Sequence, residues 1–237
     1  MSSPEATTVE TTETKKRHRG IGFTICSEIS LFLTIIELLF GIALCGTAVY
    51  FRLPAYYAIL GLGYTLISMF SLGTWIYAVK IAPRKLAKME PRELVSHIME
   101  TFQTIYRIHH RKIAEILLGL FLLVLLPLAN ALAYPYYPTI CTTLLAFYVI
   151  ACIIVVIAMQ VKFMHELPIF TPVHKVYEIV QLSIAILTLE VAVIEHVVPV
   201  MIIGSLMVLI SLISLISAVV RHRFMIRAMV PTEEIAV

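Results

Sequence analysis

Long apolar runs alternate along this chain with short proline-bearing breaks and longer polar stretches. Six runs, at about 21–50, 55–81, 113–133, 140–161, 176–197 and 201–220, are long enough to cross a bilayer. The breaks after the first, third and fifth runs are tight and carry Pro54, Pro135 with Pro138, and Pro199. This pattern predicts an all-α polytopic membrane bundle: six transmembrane helices arranged as three tandem hairpins. Each hairpin opens on a glutamate near one membrane face, at Glu28, Glu115 and Glu178, and closes on a basic residue near the same face, at Lys80, Lys162 and Arg221. The paired residues are 52, 47 and 43 positions apart, room for two spans and a turn.

The resulting division is a polar tail at 1–20, a first hairpin at 21–81, a linker at 82–112, a second hairpin at 113–161, a shorter linker at 162–175, a third hairpin at 176–220 and a polar tail at 221–237. The tails and linkers carry seventeen of the eighteen Lys and Arg residues; the tight breaks carry only Arg52. The positive-inside rule then places both termini in the cytosol. Tyr50, Phe51, Tyr56, Tyr57, Tyr134, Tyr136 and Tyr137 rim the first two breaks, as rings do at headgroup level. A ligand cage is the sharper reading of the same residues. Within the first linker, Glu90-Pro91 reads as a helix start, and Leu94, Ile98, Phe102 and Ile105 recur at helical spacing. That helix suits the membrane surface, where the surrounding basic residues would attract anionic lipid, or a solvated connector.

Composition narrows the chemistry. The chain is 60% hydrophobic and 14% charged, with mean hydropathy +0.94, so membrane lipid is its expected solvent and partner. All fifteen acids are glutamates, which removes every aspartate-based catalytic arrangement, and the one asparagine, Asn130, is in no glycosylation sequon. Cys26, Cys45, Cys141 and Cys152 form no CxxC pair and read as small hydrophobes; Cys26 offers a palmitoylation site, and Cys45 and Cys141 are near enough in depth to pair. His109, His110, His165 and His174 show no metal-ligand spacing. No short apolar segment with a small-residue cleavage site opens the chain, so no cleavable signal is expected. No catalytic residue, metal, cofactor or nucleic-acid partner is expected.

The repeated Glu28, Glu115 and Glu178 read as structural ion pairs with Lys80, Lys162 and Arg221, or as a ring of carboxylates at a vestibule. Glu37 and Glu190 are the sharper candidates. Both fall well inside apolar runs, at a depth where no Lys or Arg is available. A carboxylate in hydrocarbon costs several kcal/mol, so each is a proton or cation site, or else is hydrogen-bonded between helices. Thr34, Thr188 and the serines of the last run (Ser205, Ser211, Ser214, Ser217) are the partners expected in the second case. Gly41, Gly46, Gly61, Gly63 and Gly73 suit close helix packing, and Pro127 should kink the third span. Glu195 and His196 are expected to be solvated at the last turn.

The segment Lys112-Ile113-Ala114-Glu115-Ile116-Leu117-Leu118-Gly119-Leu120 resembles the first span of MARVEL-type membrane proteins, where a basic residue and a glutamate precede a Leu/Ile-rich helix. That group has four spans rather than six. The resemblance implies membrane apposition, trafficking or lipid-domain organisation without catalytic residues. The leading expectation is therefore a non-enzymatic membrane-organising or adaptor protein, with homo-oligomers or other membrane proteins as partners; the alternative is a small transporter or channel subunit using intramembrane glutamates. The length of the first two runs favours a thick, plasma-type membrane.

Overall fold

A computed structural model describes the backbone at residues 28–77, 117–166 and 173–229, with side chains at 28–77, 117–158 and 176–220. The N-terminal tail, the 82–112 linker, Lys80 and Glu115 lie outside the described residues, as do the side chains of Lys162 and Arg221. So do the three intra-hairpin ion pairs as a set.

All regular structure among the described residues is helical. Helices α1 (Glu28–Tyr50), α2 (Ala55–Ile76), α4 (Pro138–Glu166), α5 (Val173–Ile194) and α6 (Val198–Met229) are each long and apolar enough to cross a membrane, and α3 (Leu117–Ala133) is a shorter apolar helix. The chain is thus a multi-pass membrane protein by the length and composition of its helices. In lipid every backbone polar group must be met internally, and helices do this. Hydroxyls follow the same rule: Thr34, Thr65, Ser68, Thr74, Thr188 and Ser205 each donate to the carbonyl four residues back.

Pro127 lacks an N–H, and its ring crowds the carbonyl four residues earlier. The expected disturbance takes the form of a π-helical segment, Phe121–Leu125, closed by a bond from the Leu126 N–H to the Phe121 carbonyl.

Helix α5 is the centre of the bundle. Two thirds of its spanning window (67%) is buried, against 28% for α4 and α6. It packs on α2, α3, α4 and α6, while α2 also packs on α4. The outward faces carry Phe32, Leu39, Leu144, Phe147 and Ile202, all exposed, as lipid-facing positions should be.

The first and last hairpins are closed by the same turn. Arg52 and His196 take positive φ, 51° and 56°. The Leu53 N–H bonds Ala48 O and the Arg52 N–H bonds Val49 O; the Val197 N–H bonds Ala192 O and the His196 N–H bonds Val193 O. Both are Schellman motifs with a non-glycine residue in the left-handed position. The helices of the two hairpins also cross at matching points. A Cβ on Gly61 would stand 2.9 Å from the Cys45 backbone nitrogen, and one on Gly204 would stand 3.3 Å from the Leu189 backbone nitrogen. These are close small-residue crossings of the type that hold membrane helices together.

Candidate functional site

Four helices present polar side chains at matching depths. Glu37 on α1, Ser68 on α2, Gln181 on α5 and Ser211 on α6 each lie thirteen residues from the turn end of their helix, about 20 Å at 1.5 Å per residue. Thr34, Ser71, Glu178 and Ser214 form a second layer, three residues further along the same helices. All eight are buried. Along α1 the buried positions Thr34, Glu37, Gly41, Leu44 and Ala48 recur on α5 as Glu178, Gln181, Ala185, Thr188 and Ala192, at identical spacing. Along α2, Gly61, Tyr64, Ser68 and Ser71 recur on α6 as Gly204, Met207, Ser211 and Ser214.

Hydrogen bonds tie these layers across helices. The Gln181 amide donates to the Ser68 hydroxyl at 2.7 Å. The Tyr64 and Ser211 hydroxyls share a bond of 2.6 Å, and Ser30 and Ser217 one of 3.1 Å. Tyr148 of α4 is bonded to Ser183 of α5.

Glu37 stands among them. It is fully buried, and among the described residues neither carboxyl oxygen has a hydrogen bond of usual geometry. The Ser214 hydroxyl and the Gln181 amide flank it, and the Glu178 carboxyl is close enough to act on it electrostatically. Tyr64 lies near both carboxyls. The Gln181 carbonyl oxygen and the Ser71 hydroxyl are likewise buried and without a hydrogen bond among the described residues. The side chains expected to pair with Glu37 were Thr34, Thr188 and the last-run serines. The threonine hydroxyls are committed to their own helices, and of the serines Ser214 is found beside it.

The other candidates are placed differently. Glu190 is half-buried and accepts a 2.6 Å bond from the Asn130 amide of α3. Glu28 is exposed at the far end of α1. Glu178, expected at the membrane face, is buried in the second polar layer. Its helix starts at Val173, earlier than the apolar run implies, and this carries Glu178 more than a turn into the helix.

A second cluster joins the three turns at one end of the bundle. Glu195, expected to be solvated, accepts bonds from Tyr57 at 2.9 Å and Tyr134 at 2.5 Å, one to each carboxyl oxygen. Tyr56 lies 3.5 Å from the Tyr134 hydroxyl. Burial, and then the bonds to Glu195, push the Tyr134 phenol above its ordinary range, so it remains a donor. The rim aromatics thus divide: Tyr50, Phe51, Tyr136 and Tyr137 are exposed and suit an interface belt, whereas Tyr57 and Tyr134 are buried and fasten the turns. Cys45, Cys141 and Cys152 are free thiols. Among the described residues no three His, Cys, Asp or Glu side chains gather as a metal centre would require.

No protein-family model matches the chain, and no curated protein or solved structure does either. The likeness of residues 112–120 to MARVEL proteins stays confined to those nine positions and carries no functional weight.

Proposed function

We propose that this chain is a non-enzymatic carrier of six spans, with both termini cytosolic, that binds and releases a proton or small cation at Glu37. The observation that carries the reading is the state of Glu37: fully buried at mid-span, with neither oxygen in a hydrogen bond of usual geometry among the described residues. An uncompensated carboxylate in such a place is costly, and side chains of this kind in membrane spans mark ion and proton pathways.

Two further features support it. The α1–α2 and α5–α6 hairpins share their turn motif, their crossing points and the spacing of their polar residues, as internal repeats do. In carriers built from repeats, the binding site lies near the midplane where the repeats meet, and Glu37, Gln181, Ser71 and Ser214 occupy such a position. A membrane-organising role, which the sequence alone favours, requires no unbonded carboxyl at that depth.

The test is solvent access. In lipid nanodiscs, a water-soluble carbodiimide followed by a lipid-soluble one, read by mass spectrometry, reports which glutamates water reaches. Modification of Glu37 by the water-soluble reagent is the expected result. If only Glu28 and other surface glutamates react, the core is dry and Glu37 is a packing residue.

A further inference from the structure

We propose that Glu37 is reached from one face only: the end of the bundle where α1 begins and α6 finishes, through a hydroxyl-lined seam between those two helices, with the turn end closed. The inference rests on the carrier reading and adds the direction from which the site is loaded and emptied.

The first argument is the distribution of buried polar groups. Twelve polar or charged side chains are buried among the described residues, and they are placed one-sidedly along the bundle. Eight form the two polar layers, and Ser30 and Thr74 lie beyond them, farther still from the turns. The remaining two, Ser183 and Thr188, lie between the layers and the turns. Each returns its hydroxyl to a carbonyl of its own helix, at Val180 and Ile184. Tyr64 also lies on that side, but its hydroxyl meets Ser211 in the first layer. From Glu37 to the turns is about 20 Å at 1.5 Å per residue. That interval is filled by Leu44, Leu60, Leu187, Val191 and Met207, all within one continuous apolar cluster and each at most 1% exposed. An ion crossing such a stretch finds no partner, and its desolvation is uncompensated.

The second is the geometry of the opposite half. Ser30, Thr34 and Glu37 recur at helical spacing on α1, and Ser211, Ser214 and Ser217 do so on α6. Ser214 flanks Glu37, and the Ser30 and Ser217 hydroxyls meet at 3.1 Å, so the two rows face one another from the site to the helix ends. A hydroxyl both donates and accepts, and the rows therefore offer a partner at each turn. Glu28, exposed, stands at the outer end of the seam, nine residues or about 14 Å from Glu37. Exposure falls along the way, from Glu28 through the half-buried Ser217 to the buried Ser214.

The third is how the turn half is fastened. The helices of the first and last hairpins touch backbone to backbone there, at Gly61 and Gly204. Glu195 then ties its own turn to the other two through Tyr57 and Tyr134. Access from that side requires these contacts to part, whereas the seam needs one hydroxyl–hydroxyl bond to yield.

The test uses the full chain in sealed proteoliposomes, inserted in both orientations. A quaternary-ammonium carbodiimide, which does not cross the bilayer, is added outside together with an amine nucleophile. No Lys or Arg lies between Arg19 and Arg52, so trypsin releases residues 20–52 as one peptide carrying both Glu28 and Glu37. Mass spectrometry of this peptide reads orientation and access on the same molecule, because a modified Glu28 marks a chain whose α1 start faces the reagent. The expected result is that Glu37 is modified several-fold faster on peptides with modified Glu28 than on peptides without it. Ser217→Val should slow the modification of Glu37 several-fold, and Ser217→Thr, of the same bulk but with its hydroxyl, should not. Equal rates in these two variants overturn the seam as the route. The unsubstituted chain decides sidedness by itself if a variant does not fold. Modification of Glu37 mainly on peptides with unmodified Glu28, or equally on both, overturns one-sided access and leaves the carrier reading standing. If Glu37 stays unmodified with reagent on both sides while Glu28 reacts, the carrier reading falls and this inference falls with it.

Discussion

Replacing Glu37 with leucine should stabilise this protein. The two side chains are of similar bulk, so the leucine fills the same space between α1, α5 and α6 without demanding hydrogen bonds. A buried polar group left unmet costs about 1–3 kcal/mol. Glu37 is fully buried with neither oxygen in a hydrogen bond of usual geometry among the described residues, and it also faces the Glu178 carboxyl, so its removal recovers much of that cost and separates two neighbouring carboxyls. Exchanging a buried ionic group for an apolar one of equal volume is neutral or stabilising by about 1–4 kcal/mol in well-studied cases. The expected gain is therefore ~1–3 kcal/mol. At about 2–4 °C per kcal/mol for a chain of this length, the thermal midpoint should rise by roughly 2–12 °C. The assay is thermal unfolding in nanodiscs, followed by Trp75 fluorescence in buffer free of alkali salts. The variant should gain stability and lose ion dependence together, as happens when a site's strain serves function rather than folding. A lowered midpoint would refute the reasoning, because it would mean that Glu37 is held by bonds that stabilise the bundle.

Three further outcomes are expected. Gly61→Ala should destabilise by about 1–3 kcal/mol, because the added methyl meets the Cys45 backbone nitrogen at 2.9 Å, whereas Gly73→Ala, with no atom within 4 Å, should be neutral or gain up to about 1 kcal/mol in helix propensity; parallel melts of the two variants compare them. Tyr57→Phe and Tyr134→Phe should each lower the midpoint, and a double-mutant cycle with Glu195→Gln should show coupling, since each hydroxyl bonds a different oxygen of that carboxyl; additive losses would mean that the tyrosines act by packing alone. His196→Gly should stabilise by about 1 kcal/mol or less and so raise the midpoint, because glycine takes the left-handed position at φ 56° without strain, and a fall would assign the His196 side chain a bond of its own.

The apolar helices were legible because the length of an apolar run is set by the bilayer, and the tight breaks between them are marked by proline. Glu37 was legible for the same reason: its depth in an apolar run is read directly from position. Its partners were not, because depth says nothing about azimuth around the helix. Gln181 lies 144 positions away on another helix. The burial of Glu178 was not legible because α5 begins at Val173, ahead of its apolar run, and takes in His174 and Lys175. Glu195 reads as solvated in isolation. Its two tyrosines come from the other turns, 138 and 61 positions away, and only the packing of the helices brings them together. The spacing that repeats between the first and last hairpins was present in the sequence all along, but as single small and polar residues among leucines and isoleucines it had no contrast until burial separated one face from another.

The central position of α5 bears on how the protein is made. This helix carries Glu178, Gln181 and Glu190, so of the long helices it is poorly suited to partition alone into lipid. A tight turn joins it to α6, whose apolar surface faces outward over most of its length. The two should leave the insertion machinery as a pair, with the last helix ferrying its polar neighbour into the bilayer. Helices α1 to α4 are synthesised before them and already offer the surfaces against which α5 settles. Assembly of the polar layers is then the final event of biogenesis, and a ribosome stalled before α6 would leave those layers without Ser211 and Ser214.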